Sequence, residues 1–250
     1  EGGVLPPGAL QLLTGSSGDL LSRLGPQDAL AFTGSAATAL LLRRGENLLG
    51  QSTRVNIEAD SLNAAVLSPG VEAGSETWNL FLRDVAREIT QKTGQKCTAV
   101  RRIFVPAAVA DLVEAELVER LSRVVTGNPT DPSVTMGPLS TARQLNDALA
   151  GITMLESKAR VRLGGARRVD GAFNPAGKGY FLAPTLLRAD FARDAGPVHE
   201  HEVFGPVATL LPYDGTAPEA AALVALGRGT LVTSVYSDDE TWVGEFLMAG

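Results

Sequence analysis

The chain has 250 residues, 44% of them hydrophobic and 20% charged, with a formal net charge of -6. That is enough apolar material for one large or two modest domains. The acidic balance argues against a nucleic-acid surface, because phosphate binding needs clustered Lys and Arg. The basic pairs Arg43-Arg44, Arg101-Arg102 and Arg167-Arg168 are therefore expected to be solvated ends of strands and helices. A single cysteine excludes an internal disulfide and fits a reducing, cytoplasmic setting. No apolar run approaches the roughly 20 residues that span a bilayer, and no signal-peptide pattern opens the chain. Both ends read as cut, since the chain starts at Glu1 without Met and stops inside a helical pattern.

Residues 9–13 form a short apolar run that predicts a strand, followed by a Gly/Ser turn and helical spacing over 19–24. The pattern repeats: residues 29–32 read as strand, Thr33-Gly34-Ser35 as a turn, and 36–44 as an alanine- and leucine-rich helix. A third strand over 54–57 runs into Glu58-Ala59-Asp60. Strands alternating with helices imply parallel pairing in a doubly wound sheet. The composition shifts after Asp60, which marks the expected domain boundary.

The clearest helix is predicted over 75–92, with Trp78, Phe81, Leu82, Val85 and Ile89 on one stripe and Arg83, Asp84, Arg87 and Glu88 off it. It leads directly to Gly94-Gln95-Lys96-Cys97. Beyond this turn come a strand over 100–105, a helix from Pro106 to about 124, and a helix over 141–156. A Gly- and Arg-rich loop then covers 164–179. The remainder reads as extended segments at 180–187 and 203–211, a helix at 218–226, a strand at 230–236, and a final helix capped by Asp238 and Asp239.

A thiol in a glycine-bearing turn, with polar neighbours, is placed as a nucleophile would be; an inert thiol is the alternative. Opening amides and Lys96 would both favour thiolate. Glu58, at the end of a parallel strand, is either a general base or a surface carboxylate. Gly34 and Ser35 open a helix whose free N–H groups suit a pyrophosphate, although a plain βα turn is equally rich in Gly and Ser. His199 and His201 suggest a metal only until the rest of a zinc set is sought: no further histidine and no second cysteine exists, so both are read as polar loop residues and no metal is expected.

Three segments now stand in order: Phe32-Thr33-Gly34-Ser35, Gly94-Gln95-Lys96-Cys97, and Glu202-Val203-Phe204-Gly205-Pro206-Val207. Together with Glu58 they resemble the aldehyde dehydrogenase superfamily over nearly the whole chain. The contexts Ile57-Glu58-Ala59-Asp60-Ser61-Leu62-Asn63 and Cys97-Thr98-Ala99-Val100-Arg101-Arg102 are similar to the aldehyde dehydrogenase domain of the bifunctional ring-opening enzymes of bacterial phenylacetate degradation.

The resemblance implies an α/β fold: residues 1–60 as the carboxyl-terminal part of a Rossmann-like NAD(P)-binding domain, and residues 61–250 as a catalytic thiol domain with a parallel sheet. It implies Cys97 as nucleophile, Glu58 as base, and Thr33, Gly34, Ser35, Glu202 and Phe204 as cofactor contacts. Glu202 would hold the nicotinamide ribose, with Phe204 beside it. It further implies NADP, with NAD possible, a coenzyme A-linked aldehyde as substrate, and a homo-oligomeric parent protein with a fused hydratase domain. The family's second oxyanion donor, an asparagine, would lie before Glu1, and losing such a donor costs about 10²–10³-fold in rate. A coenzyme A-acylating dehydrogenase, a catalytically silent piece and a cysteine hydrolase are the competing readings.

Overall fold

The computed structural model describes residues 3–250, which divide into two compact units, one ending at Asp60 and one spanning Ser61–Gly250. In the smaller unit β1 (Ala29–Gly34) leads through α1 (Ala36–Arg43) and α2 (Glu46–Gly50) to β2 (Arg54–Ala59). The two strands pair in parallel, with Thr33 opposite Glu58 and Gly34 opposite Ala59. Residues 9–13 correct the sequence expectation: they form no strand, and Leu10 and Leu12 are 80% and 88% exposed. A short apolar run becomes a strand only where a partner completes its hydrogen bonds, and none does so here. The helix expected over 19–24 shrinks to the 3₁₀ turn Leu20–Arg23.

The larger unit contains β3 (Ala64–Leu67), α3 (Glu76–Thr90), β4 (Arg102–Pro106), α4 (Ala110–Ser122), α5 (Ala142–Leu155), β5 (Arg160–Leu163), β6 (Thr185–Arg188), α6 (Pro197–Glu200), β7 (Val207–Tyr213), α7 (Ala217–Ala225), β8 (Thr233–Tyr236) and α8 (Glu240–Ala249). Its six strands lie in the order β5-β6-β7-β4-β3-β8. Every neighbouring pair is parallel except β5 with β6. Strand alternation feeds a core on each face: Ala64, Val66 and Phe104 pack with α5 and α7 residues, whereas Ala65, Leu67, Ile103 and Val105 pack against the Trp78 stripe of α3 and against α4. All five stripe residues of α3 are buried. Asp239 caps α8, but Asp238 does not; it accepts a hydrogen bond from the Thr77 hydroxyl instead.

Arg43, Arg44, Arg167 and Arg168 are exposed, but the Arg101-Arg102 pair is not. Arg102 is fully buried, with its guanidinium donating to Leu62 O (2.9 and 2.7 Å), Leu223 O (3.2 Å) and Val224 O (2.9 Å). The last two carbonyls close α7, whose negative dipole end suits a cation. Burial still pulls the guanidinium down to about 10. Gly227 leaves room for it: a Cβ there would lie 2.1 Å from Nη2.

His199 belongs to the same cluster and is only 5% exposed, contrary to its reading as a polar loop residue. Its Nδ1 lies 3.1 Å from Arg102 Nη1 and its Nε2 2.6 Å from Ala192 O. An arginine only donates, so Nδ1 accepts and the Nε2–H donates, which fixes a neutral imidazole. Burial, reinforced by the charge of Arg102, lowers the pKa of His199. The unfolded chain therefore binds this proton more readily than the folded one. The contribution of neutral His199 is complete above the ordinary imidazole range and is lost as pH falls through it. Thermal melts of the wild type and His199→Asn across pH 5 to 8 should show the wild type losing more of its midpoint on acidification; parallel curves would contradict this assignment.

Candidate active site

The geometry around Cys97 begins with the backbone before it. Lys92, Thr93 and Gly94 have φ of 53°, 57° and 67°, three successive residues in left-handed space. Such a run in non-glycine residues costs about 1–3 kcal/mol per residue and persists only where the surroundings over-determine it. Here the Thr93 hydroxyl donates to Gly137 O (3.0 Å), and the Gln95 carboxamide oxygen accepts from Ser140 N and Oγ (both 3.0 Å). A turn closed by Ala99 N–H to Lys96 O (3.0 Å) then presents Cys97, which is exposed. Among the described residues no acceptor takes the Cys97 N–H.

Lys96 does not play the part expected of it. Its ammonium is engaged by the Glu88 carboxylate at 2.6 Å and by Gln91 at 3.1 Å, so its charge is neutralised within α3 rather than lent to the thiol.

Two residues to which the sequence assigned no part in the site hold this turn. Asn63 is fully buried and spends its side chain completely: its amide donates to Cys97 O (2.8 Å) and Ala99 O (3.0 Å), and its oxygen accepts from Ser61 Oγ (2.6 Å) and Val232 N (3.0 Å). Arg101, expected to be solvated, is 4% exposed and binds the Glu202 carboxylate through Nε (3.1 Å) and Nη2 (3.0 Å). The same guanidinium donates to Gly94 O and Gly205 O, each at 2.8 Å. Burial lowers the Arg101 pKa, and the charge of Glu202 opposes that shift. A polar residue immediately before an apolar strand was the only signal of either role.

Glu202 also accepts the Ser61 N–H through its other oxygen (3.0 Å) and is 6% exposed at the side chain, so it is a buried, paired carboxylate rather than a solvated one. Phe204 is 38% exposed, with the Arg101 guanidinium carbon 5.6 Å from its ring centroid. The structure thus brings together Cys97, Glu202 and Phe204 through Arg101. All three precede their strands, so they lie at the amino-terminal edge of β4 and β7, opposite to the carboxyl edge where open α/β sheets commonly place ligands.

The remaining predicted residues lie in the smaller unit. Glu58 is exposed near the carboxyl end of β2, with Thr33 as its register partner on β1. Gly34 ends β1 and Ser35 caps α1, its hydroxyl accepting from Thr38 N (3.3 Å). The Asp60 carboxylate accepts the Ala36 N–H (3.1 Å). The Ala36 and Thr38 amides at the start of α1 are therefore partnered rather than free. The Ala36 amide meets an anionic oxygen, the same chemical type as a phosphate, and the Thr38 amide a neutral hydroxyl.

The larger unit is thus a parallel-dominated α/β fold that carries an exposed thiol in a strained turn, tied through Arg101 to a carboxylate and an open aromatic ring. Residues 3–248 match the aldehyde dehydrogenase family, and the chain belongs to it. A 3,4-dehydroadipyl-CoA semialdehyde dehydrogenase of Aromatoleum evansii is 41% identical over 247 residues, covering 99% of this chain and 48% of that protein. The chain thus spans about half the length of this curated relative. Among solved structures, a betaine aldehyde dehydrogenase of Staphylococcus aureus in complex with NAD+ superposes with a TM-score of 0.79 at 24% identity, over 93% of this chain and 43% of that one. A gamma-glutamyl-gamma-aminobutyraldehyde dehydrogenase of Burkholderia cenocepacia gives 0.75 at 26% identity, over 93% and 44%. The doubly wound α/β architecture read from the sequence agrees with these neighbours. Among the described residues no helix is long and apolar enough to cross a membrane.

Proposed function

We propose that this chain is the thiol-bearing part of an NADP-dependent aldehyde dehydrogenase that oxidises a coenzyme A-linked semialdehyde of aromatic catabolism to its acid. The observation that carries this reading is the exposed Cys97, presented with an unpartnered N–H by a strained turn that Arg101 ties to Glu202. The relative from Aromatoleum evansii supplies the substrate class. NADP is favoured by the family resemblance, and the NAD+ in the Staphylococcus aureus neighbour makes NAD the comparison to run.

The Cys97 thiolate adds to the aldehyde carbon, and the Cys97 N–H receives the developing oxyanion. Glu202 and Phe204 would hold the nicotinamide end of the cofactor, and Thr33, Gly34 and Ser35 its phosphate end, where the Ala36 amide bonds the Asp60 carboxylate. Bound NADP would supply acceptance of the aldehyde hydrogen with its electron pair, leaving a thioester on Cys97. Glu58 takes a proton from water, the resulting hydroxide adds to the thioester, and the Cys97 thiolate departs. In sum, aldehyde, NADP⁺ and water give carboxylate, NADPH and two protons. The domain assignment follows: residues up to 60 serve the cofactor, and 61–250 carry the thiol. The cytoplasm, a homo-oligomeric parent and a fused hydratase domain complete the proposal.

Glu58→Gln separates the two half-reactions. With a coenzyme A-linked semialdehyde, NADPH should form in a burst of up to one equivalent per Cys97, while steady turnover falls by about 10²–10⁴-fold. Equal turnover in both proteins would remove Glu58 from the mechanism. Products that retain coenzyme A on the newly oxidised carbon would favour the acylating alternative, and no NADPH at all a silent chain.

A further inference from the structure

We propose that Arg101 is a positioning residue that makes the thiol turn and the Glu202–Gly205 segment one unit, so that a change at Glu202 is felt at Cys97. The inference rests on reading Cys97 as the reactive thiol. Four donated hydrogen bonds of one guanidinium fall on both sides: Gly94 O on the turn, Gly205 O on the opposite segment, and the Glu202 carboxylate twice. Gly94 lies at the end of the left-handed run, and its carbonyl is fixed three residues before the thiol. A planar fork suits this arrangement as an ammonium does not, because acceptors on three residues are met in fixed directions.

The pair is 4% and 6% exposed at the side chains, so neither charge has water to replace its partner. If Glu202 loses its charge or moves, the guanidinium is left with backbone carbonyls alone and shifts toward them. The same shift pulls on Gly94 O. Phe204 packs against the guanidinium at 5.6 Å, so the ring follows it too. A residue that merely filled space would need none of these directed bonds.

Because Cys97 is the only cysteine, iodoacetamide labelling followed by mass spectrometry reports the turn alone. The labelling rate of the purified chain would be measured for wild type, Arg101→Gln, Arg101→Lys, Glu202→Ala, Glu202→Gln and the double variant Arg101→Gln/Glu202→Ala, with thermal midpoints alongside. Arg101→Gln and Glu202→Ala should each slow labelling by about fivefold or more, the scale of coupling within a shared network. In the Arg101→Gln background, Glu202→Ala should add less than about twofold, since its route to the thiol is already cut. Arg101→Lys should fail to restore the rate. Additive effects, or lowered midpoints with unchanged labelling, would overturn the assignment. If Arg101→Gln does not fold, the question turns on Arg101→Lys and Glu202→Gln, which keep volume; unchanged labelling in both would equally overturn it. Labelling needs neither cofactor nor aldehyde. A chain that shows the coupling but never reduces NADP sinks only the dehydrogenase reading, and turnover without the coupling sinks only the role of Arg101.

Discussion

Cys97→Ala is expected to abolish aldehyde-dependent NADP reduction, by at least about 10⁴-fold, because removing the nucleophile of an enzyme that works through a covalent intermediate leaves only binding and oxyanion contacts. Its effect on stability should stay within about 0.5 kcal/mol, since the side chain is exposed and belongs to neither core cluster. The contrast between the two readouts is the point of the experiment. Lost turnover together with an unchanged denaturation midpoint assigns chemistry to the thiol. Activity within tenfold of wild type would transfer the reaction to another group altogether.

Gly94→Ala should have the largest structural effect of any single methyl in the larger unit. A Cβ at this position would sit 2.0 Å from Gly205 O and 2.7 Å from Pro206 N, both backbone atoms that no rotamer change can move aside. The φ of 67° adds a strain that glycine escapes. Either the turn or the segment before β7 must give way, at a cost of about 3 kcal/mol or more. Denaturant titration would measure that cost. Labelling of Cys97 in the same variant should change as well, because the Gly94 carbonyl that Arg101 grips would be displaced. A stable variant with native labelling would contradict the close approach of the two segments.

How far the residues alone reveal this arrangement depends on how local each feature is. The α3 stripe repeats every three to four positions, so Trp78 through Ile89 announce their own burial. The motifs around Cys97 and Glu202 are contiguous, and their order carried the family resemblance. Strand β3, only four residues and buried on both faces, has no alternation to betray it. Arg101 and Arg102 misled for a related reason. Two adjacent arginines look solvated, and what makes their burial tolerable lies far along the chain: Glu202 for one, and the Leu223 and Val224 carbonyls for the other. Asn63 shows the same limit, since its amide anchors the thiol turn across 34 residues of sequence. The Asp60 carboxylate at α1 depends likewise on a partner 24 residues away.

The burial of Arg102 also bears on how the larger unit assembles. Its guanidinium gives up water completely, yet the groups that replace that water come from Leu62, His199 and the end of α7, elements 40, 97 and 121 residues distant. No subset of them satisfies the charge. A partly folded intermediate with β3 and β4 paired but α7 undocked would hold a stranded cation beneath an open sheet, a penalty that only complete docking removes. Arg102 thus acts against partial order: amide exchange from β3, β4 and α7 should proceed through a single cooperative opening rather than by the separate fraying of the terminal helices.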